Sequence, residues 1–381
     1  MNRLYRILIL TALAGTLLAQ RHRLTINAET PEGQLLQRIG QENEAPKKAA
    51  LMEEFVQKFP KHEGAGWVLE QMLSNYLKAN EFDKALASGE KLLAIDPDDV
   101  ATAHNCLKAA EAKKDADLIM KWTGSTSKIA RKVAASPKPS DEEEAETWKA
   151  SVDYAKQVDT YTEYSLYATA LAVAEPAKKI ALYENLEAQN PQSQYLAQLV
   201  GQYFLSLRQT GANDKAIAVA EKVIEKDQTN EDMLLAVADN YFNKKANPDK
   251  VIEYSLKLAE LMSSKPKPAG VADEDWDKRK KLMSGLGYWL AGVTYGTQNK
   301  FKETDAHLRL ALPLVEGNDP LKAQALFWLG LANYRLGEPA KDKKRMAEAL
   351  RFNVQCAAIK SPFAAQANKN AVAIRQQYGL K

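Results

Sequence analysis

The segment 66–97, GWVLEQMLSNYLKANEFDKALASGEKLLAIDP, constrains the fold more than any other part of the chain. Leu69, Met72, Leu73 and Tyr76 recur at helical spacing. After a break at Ala79-Asn80-Glu81 the pattern resumes with Phe82, Ala85, Leu86, Leu92 and Leu93. Asp96-Pro97 ends the second run, because proline lacks the N–H a helix needs and clashes with the preceding turn. Two amphipathic helices joined by so short a turn must fold back on each other. Ala85, small and central, falls where their backbones approach.

The same pattern recurs downstream. Leu166 and Ala170 precede Ile180, Tyr183, Leu186 and the stop Asn190-Pro191; Val200-Gly201 and Phe204 precede Ala216, Ile217, Ala220, Val223 and Ile224. Val237-Ala238 and Tyr241 lead into Val251, Tyr254 and Leu258, and Tyr288, Ala291-Gly292 and Tyr295 into Phe301 and Ala311-Leu312. Leu326, Leu329-Gly330, a turn at Gly337 and Ala349-Leu350 form the last clear copy. Fainter copies occupy residues 31–60 and 100–135, the latter with Ala103, Cys106, Leu107 and Ala110 facing inward. Alternating β-branched runs and hairpin dipeptides are nearly absent. At 381 residues a single core would be unusually large. Helix pairs that each contact only their neighbours escape that limit, and the chain reads as all-α.

The spacing Leu69-x2-Met72-Leu73-x2-Tyr76, followed by Ala85 and Pro97, resembles the tetratricopeptide repeat, a unit of about 34 residues. Leu69 stands for the usual Trp, Met72-Leu73 for the usual Leu-Gly, and Gly89 for the usual large aromatic. The resemblance extends over all but the N-terminus and points to the exported bacterial type with a signal peptide. It implies a right-handed α-solenoid of antiparallel helix pairs, with a final helix after Ser361-Pro362 (Phe363, Ala371, Ile374, Tyr378) capping the last repeat. It also implies a non-enzymatic scaffold of the cell envelope that binds proteins or peptides on its concave face. In this family the first helix of each pair lines that face. By matching positions the candidate groove residues are Trp67, Tyr195, Gln198, Trp289, Val293, Phe327, Leu331, Tyr334 and Arg335. The Lys/Asn clamp by which some relatives hold a C-terminal carboxylate is not matched. The rings Trp289, Phe327 and Tyr334 read equally as packing under the last helix. Tyr154, Tyr161, Tyr164 and Tyr167 form a second aromatic stripe, suited to recognition or to a helix–helix seam.

Residues 1–19, MNRLYRILILTALAGTLLA, combine two arginines, an apolar stretch from Ile7 to Leu18 and small residues before Gln20, the pattern of a secretory signal peptide. The expectation is export to the periplasm or medium, with an uncleaved inner-membrane anchor as the alternative. A membrane-tethered accessory of envelope assembly or secretion follows from that alternative. No other segment is apolar enough to span a bilayer, and the mean hydropathy of −0.42 agrees, so no integral membrane domain is expected in the mature chain. Without residues 1–19 the chain carries 50 basic against 49 acidic residues, a balance that argues against nucleic acid as a partner.

No metal, cofactor or catalytic site is expected. The four histidines, His22, His62, His104 and His307, fall in different segments without metal-ligand spacing. The two cysteines, Cys106 and Cys356, lie several repeats apart and read as small buried residues. An enzyme ranks third, requiring residues from distant repeats to converge. Two Pro-rich breaks, Ser136-Pro137-Lys138-Pro139-Ser140 and the stretch 263–272, punctuate the series. Each precedes an acidic start to a lengthened helix. The expected organisation is 1–19 leader, 20–135 N-terminal repeats, 136–262 middle repeats, 263–272 linker, and 273–381 C-terminal repeats with cap.

Overall fold

The computed structural model describes His22, Leu24 and residues 26–380; the leader expected at 1–19 lies outside them. The described residues form 17 helices and no strand. Contacts divide the chain into two compact units, Met1–Thr210 and Gly211–Lys381.

The first unit contains α1 (Pro31–Gln41), α2 (Ala45–Lys58), α3 (Ala65–Lys78), α4 (Phe82–Ile95), α5 (Val100–Ala112), α6 (Ala116–Ala134), α7 (Glu142–Ala172), α8 (Pro176–Gln189) and α9 (Gln194–Gln209). Each helix packs on the next, and α3, α5, α7 and α9 also touch one another in succession. The odd-numbered helices therefore share one face. Its core runs from Leu35, Leu36 and Ile39 through Phe55, Leu69, Leu73 and Leu92 to Leu107 and Trp122. The long helix α7 begins after Asp141, whose carboxylate accepts from Glu143 N and Glu144 N at 3.0 Å, satisfying donors a helix start leaves open.

The second unit contains α10 (Asn213–Ile224), α11 (Glu231–Asn243), α12 (Pro248–Ser264), α13 (Asp273–Thr297), α14 (Phe301–Ala311), α15 (Asp319–Gly337), α16 (Lys343–Ala357) and α17 (Ala364–Tyr378). Neighbours again pack in order, and α11, α13, α15 and α17 touch successively. Each unit is thus an α-solenoid of helix pairs. Close approach explains the small residues: a Cβ added at Gly292 would stand 2.6 Å from Leu308, and one at Gly330 2.5 Å from Asn353 Nδ2. The final helix α17 packs on α16, and Ala371 and Ile374 bury against Met346, Ala349 and Leu350.

Five hairpin turns share one geometry. Asn80, Lys114, Lys245, Asn299 and Lys341 all adopt the left-handed conformation, with φ between 50° and 60°. In four of them the next N–H reaches back five residues: Glu81 to Tyr76 O (2.8 Å), Ala246 to Tyr241 O (2.9 Å), Lys300 to Tyr295 O (3.0 Å) and Asp342 to Gly337 O (2.9 Å). That bond closes a helix end by satisfying an otherwise orphaned carbonyl.

Candidate protein-binding face

On the shared face of the first unit, α5 contributes His104, Lys108 and Glu111, one turn apart, and α7 brings its tyrosines against them. Tyr154 OH lies 2.9 Å from His104 Nδ1. The His104 ring stands 5.1 Å from the Tyr161 ring. Glu111 fastens the two helices, accepting from Tyr161 OH at 2.8 Å and from Ser165 Oγ at 2.5 Å. Tyr164 follows 6.3 Å from Tyr161 and 6.1 Å from Tyr195 of α9, while Tyr167 stacks on Tyr195 at 4.7 Å. The result is a continuous aromatic strip across α5, α7 and α9. Within it His104 is buried and Tyr154, Tyr161, Tyr167 and Tyr195 are half-buried, while Tyr164, 44 % exposed, stands out from it.

Burial, and secondarily the Lys108 charge, hold the His104 imidazole down to about 3, so the ring is neutral. Burial, then the charge of Asp99, pushes Tyr154 up to about 12; burial and Glu111 also raise Tyr161. Lys108, exposed as a residue, has its ammonium held below its ordinary range by desolvation, which Glu111 opposes. Glu70 on α3 is half-buried with Oε2 lacking a hydrogen-bond partner; burial, and then Asp99, push its carboxyl up to about 7. The strip thus presents neutral rings and hydroxyls, with ionic groups at its margin.

The expected groove residues fall into different settings. Tyr195 joins the strip, Gln198 is exposed beside it, and Trp67 packs partly buried against the first unit's core. In the second unit Trp289 is 7 % and Val293 1 % exposed. Trp289 is held from two sides: its ring lies 5.3 Å from Phe242 of α11, and its Nε1 donates to Leu321 O of α15 at 3.1 Å. Successive odd helices close over that position, which accounts for its burial. Phe327 is half-buried, 5.1 Å from Phe363. Leu331 is half-buried too. Tyr334 rests on the α16–α17 cluster and donates to Glu338 Oε1 at 3.0 Å. Arg335 is exposed, 3.7 Å from Glu338.

His104, Glu111 and Ser165 escaped the sequence reading. Their signal is present: polar residues at 104, 108 and 111 occupy one stripe of a helix judged by its apolar side alone. Cys106 and Cys356 are both buried thiols. No helix among the described residues is long and apolar enough to cross a membrane.

No protein-family model matches the chain, and no curated protein matches it. Solved structures align over 92 % of its length. The tetratricopeptide-repeat domain of P58(IPK) aligns at 11 % identity, covering 100 % of that chain, with a TM-score of 0.27. Yeast Tom70 aligns at 12 %, covering 77 %, with a TM-score of 0.23. The Cut9–Hcn1 hetero-tetramer aligns at 10 %, covering 87 %, with a TM-score of 0.21.

Proposed function

We propose that this protein is a non-enzymatic scaffold that binds a segment of another protein along the face formed by α3, α5, α7 and α9. The observation that carries the reading is the strip Tyr154–His104–Tyr161–Tyr164–Tyr195, bonded firmly at its base and exposed at Tyr164. Tyrosine suits such a contact because it offers large area for little lost entropy and retains a hydroxyl. A strip already fixed by Glu111 has little order left to lose on binding.

The test is a photo-crosslinking amino acid at position 164, with a second at Lys91, an exposed site on α4, as reference. A protein captured at 164 and absent at 91, and retained less by Tyr164→Ala at unchanged melting temperature, is the expected result. Equal capture at both sites removes the face from consideration.

We further infer export to the cell envelope, on the strength of residues 1–19. N-terminal sequencing of protein from its own host should begin at or near Gln20. A retained Met1 would replace soluble export with a tethered protein.

A further inference from the structure

At the edge of the first unit, the pair His22 and Leu24 lies against the start of α3. Two glycines make room for it: a Cβ on Gly66 would stand 2.8 Å from His22 Nδ1, and one on Gly64 2.9 Å from Leu24 Cδ1. Seated there, His22 turns its Nε2 toward the junction between α4 and α5. That nitrogen is buried and has no hydrogen-bond partner. It lies 3.9 Å from Asp96 Oδ2, and one ligand atom from each of His22, Asp96 and Asp99 falls within 4.8 Å of the others. Asp99 is held in place by Ala101 N (2.9 Å), Thr102 N (3.1 Å) and Thr102 Oγ1 (2.6 Å). Hydrogen bonds of this kind orient the carboxylates of metal centres.

From this convergence we propose that His22, Asp96 and Asp99 form a divalent transition-metal site that latches the N-terminal segment to the α4–α5 junction. A ring nitrogen buried without a hydrogen-bond partner lacks its usual compensation, and a cation at Nε2 would supply it. One imidazole nitrogen with two carboxylates suits Zn²⁺, whose bonds to nitrogen and oxygen are about 2.0–2.2 Å, with water completing the shell. Small shifts bring atoms already this close to such distances. The site adjoins the tyrosine strip, since the charge of Asp99 bears on Tyr154, and folding brings His22 to two aspartates that lie three residues apart at the α4–α5 junction.

The test uses the full chain, stripped with a chelator and titrated with ZnCl₂ by calorimetry. One Zn²⁺ should bind per chain, at least tenfold more weakly in His22→Ala and in Asp96→Asn, and unchanged in His307→Ala. Zn²⁺ should also slow hydrogen exchange at residues 26–30 and 64–68 in the parent and not in His22→Ala. Absence of stoichiometric binding overturns the proposal, as does binding indifferent to both substitutions. Loss with His22→Ala alone, Asp96→Asn being silent, also overturns it, because the metal would then bind His22 without the folded junction.

Discussion

Gly89 and Cys106 should behave as one unit. Gly89 is buried in α4, and a Cβ built on it would stand 2.1 Å from Cys106 Sγ, where carbon and sulfur in contact need roughly 3.5–4 Å. Cys106 is itself wholly buried, so Gly89→Ala must drive the sulfur from its rotamer or part the two helices. Overpacking of this kind costs about 1–3 kcal/mol, and so short a contact argues for the upper end. Replacing a mid-helix glycine by alanine returns about 1 kcal/mol, leaving a net loss of about 2 kcal/mol. Cys106→Ala alone, deleting one buried heavy atom, should cost about 1 kcal/mol. In the double variant the added methyl stands 3.9 Å from the Cβ at position 106, an ordinary contact. It keeps the helix gain and refills part of the void, so stability should return close to the parent's. The coupling is then about 3 kcal/mol, far beyond the roughly 0.5 kcal/mol scatter of independent sites. Native-state hydrogen exchange at α4 and α5 amides is the assay, since a stack of helix pairs need not unfold in one step. Alkylation of Cys106 gives a second reading. Burial raises its thiol to about 12, so labelling waits on opening, and Gly89→Ala should quicken it about 30-fold. Additive effects, or a silent Gly89→Ala, would refute the reasoning.

Three further outcomes follow from other sites. Trp289→Ala, emptying a position between Phe242 and Leu321, should cost about 3–5 kcal/mol in thermal melts without any partner; an unchanged melt would contradict its burial. Glu70, raised in the fold from about 4.5 to about 7, binds its proton more tightly folded than unfolded. Its contribution is therefore complete below pH 4.5 and lost as pH rises through 7. The parent should lose up to about 3 kcal/mol across that window relative to Glu70→Gln, and parallel pH profiles of the two would count against the assignment. Asn333, fully buried, donates to Asp305 Oδ1 at 2.7 Å and accepts from Arg345 Nη1 at 2.8 Å; Asn333→Ala should cost about 1–3 kcal/mol by local exchange in α15, and a loss below about 0.5 would rule out a structural role for that network.

The helix pairs were legible because their signal is periodic and local. Leu69, Leu73, Ala85 and Leu92 all bury where their spacing puts them, and the unbroken run after Asp141 is one helix of 31 residues. What eluded the sequence depends on a third partner. Trp289 occupies a position that two helices alone would leave open, and it is buried because α11 and α15 both reach it. Gly89 leaves room that Cys106 of the next helix fills, a fit between two helices that a single sequence does not display. The approach of His22 to Asp96 likewise joins residues far apart in the chain. The aromatic stripe on α7 was visible at once; its partner residues on α5 were not, since polar residues on a helix carry no mark of what they face.

The left-handed turns at Asn80, Lys114, Lys245, Asn299 and Lys341 do more than reverse the chain. Each fixes the rotational phase between one helix and the next. A residue inserted there advances the following helix by about 100°, carrying its apolar stripe off the core and a charged one onto it. The stretches 136–141 and 265–272, non-helical and mostly exposed, impose no such phase. Length variation among descendants of this chain should therefore collect in those two stretches and spare the five hairpin turns, so that insertions and deletions record the boundary between what sets register and what merely connects.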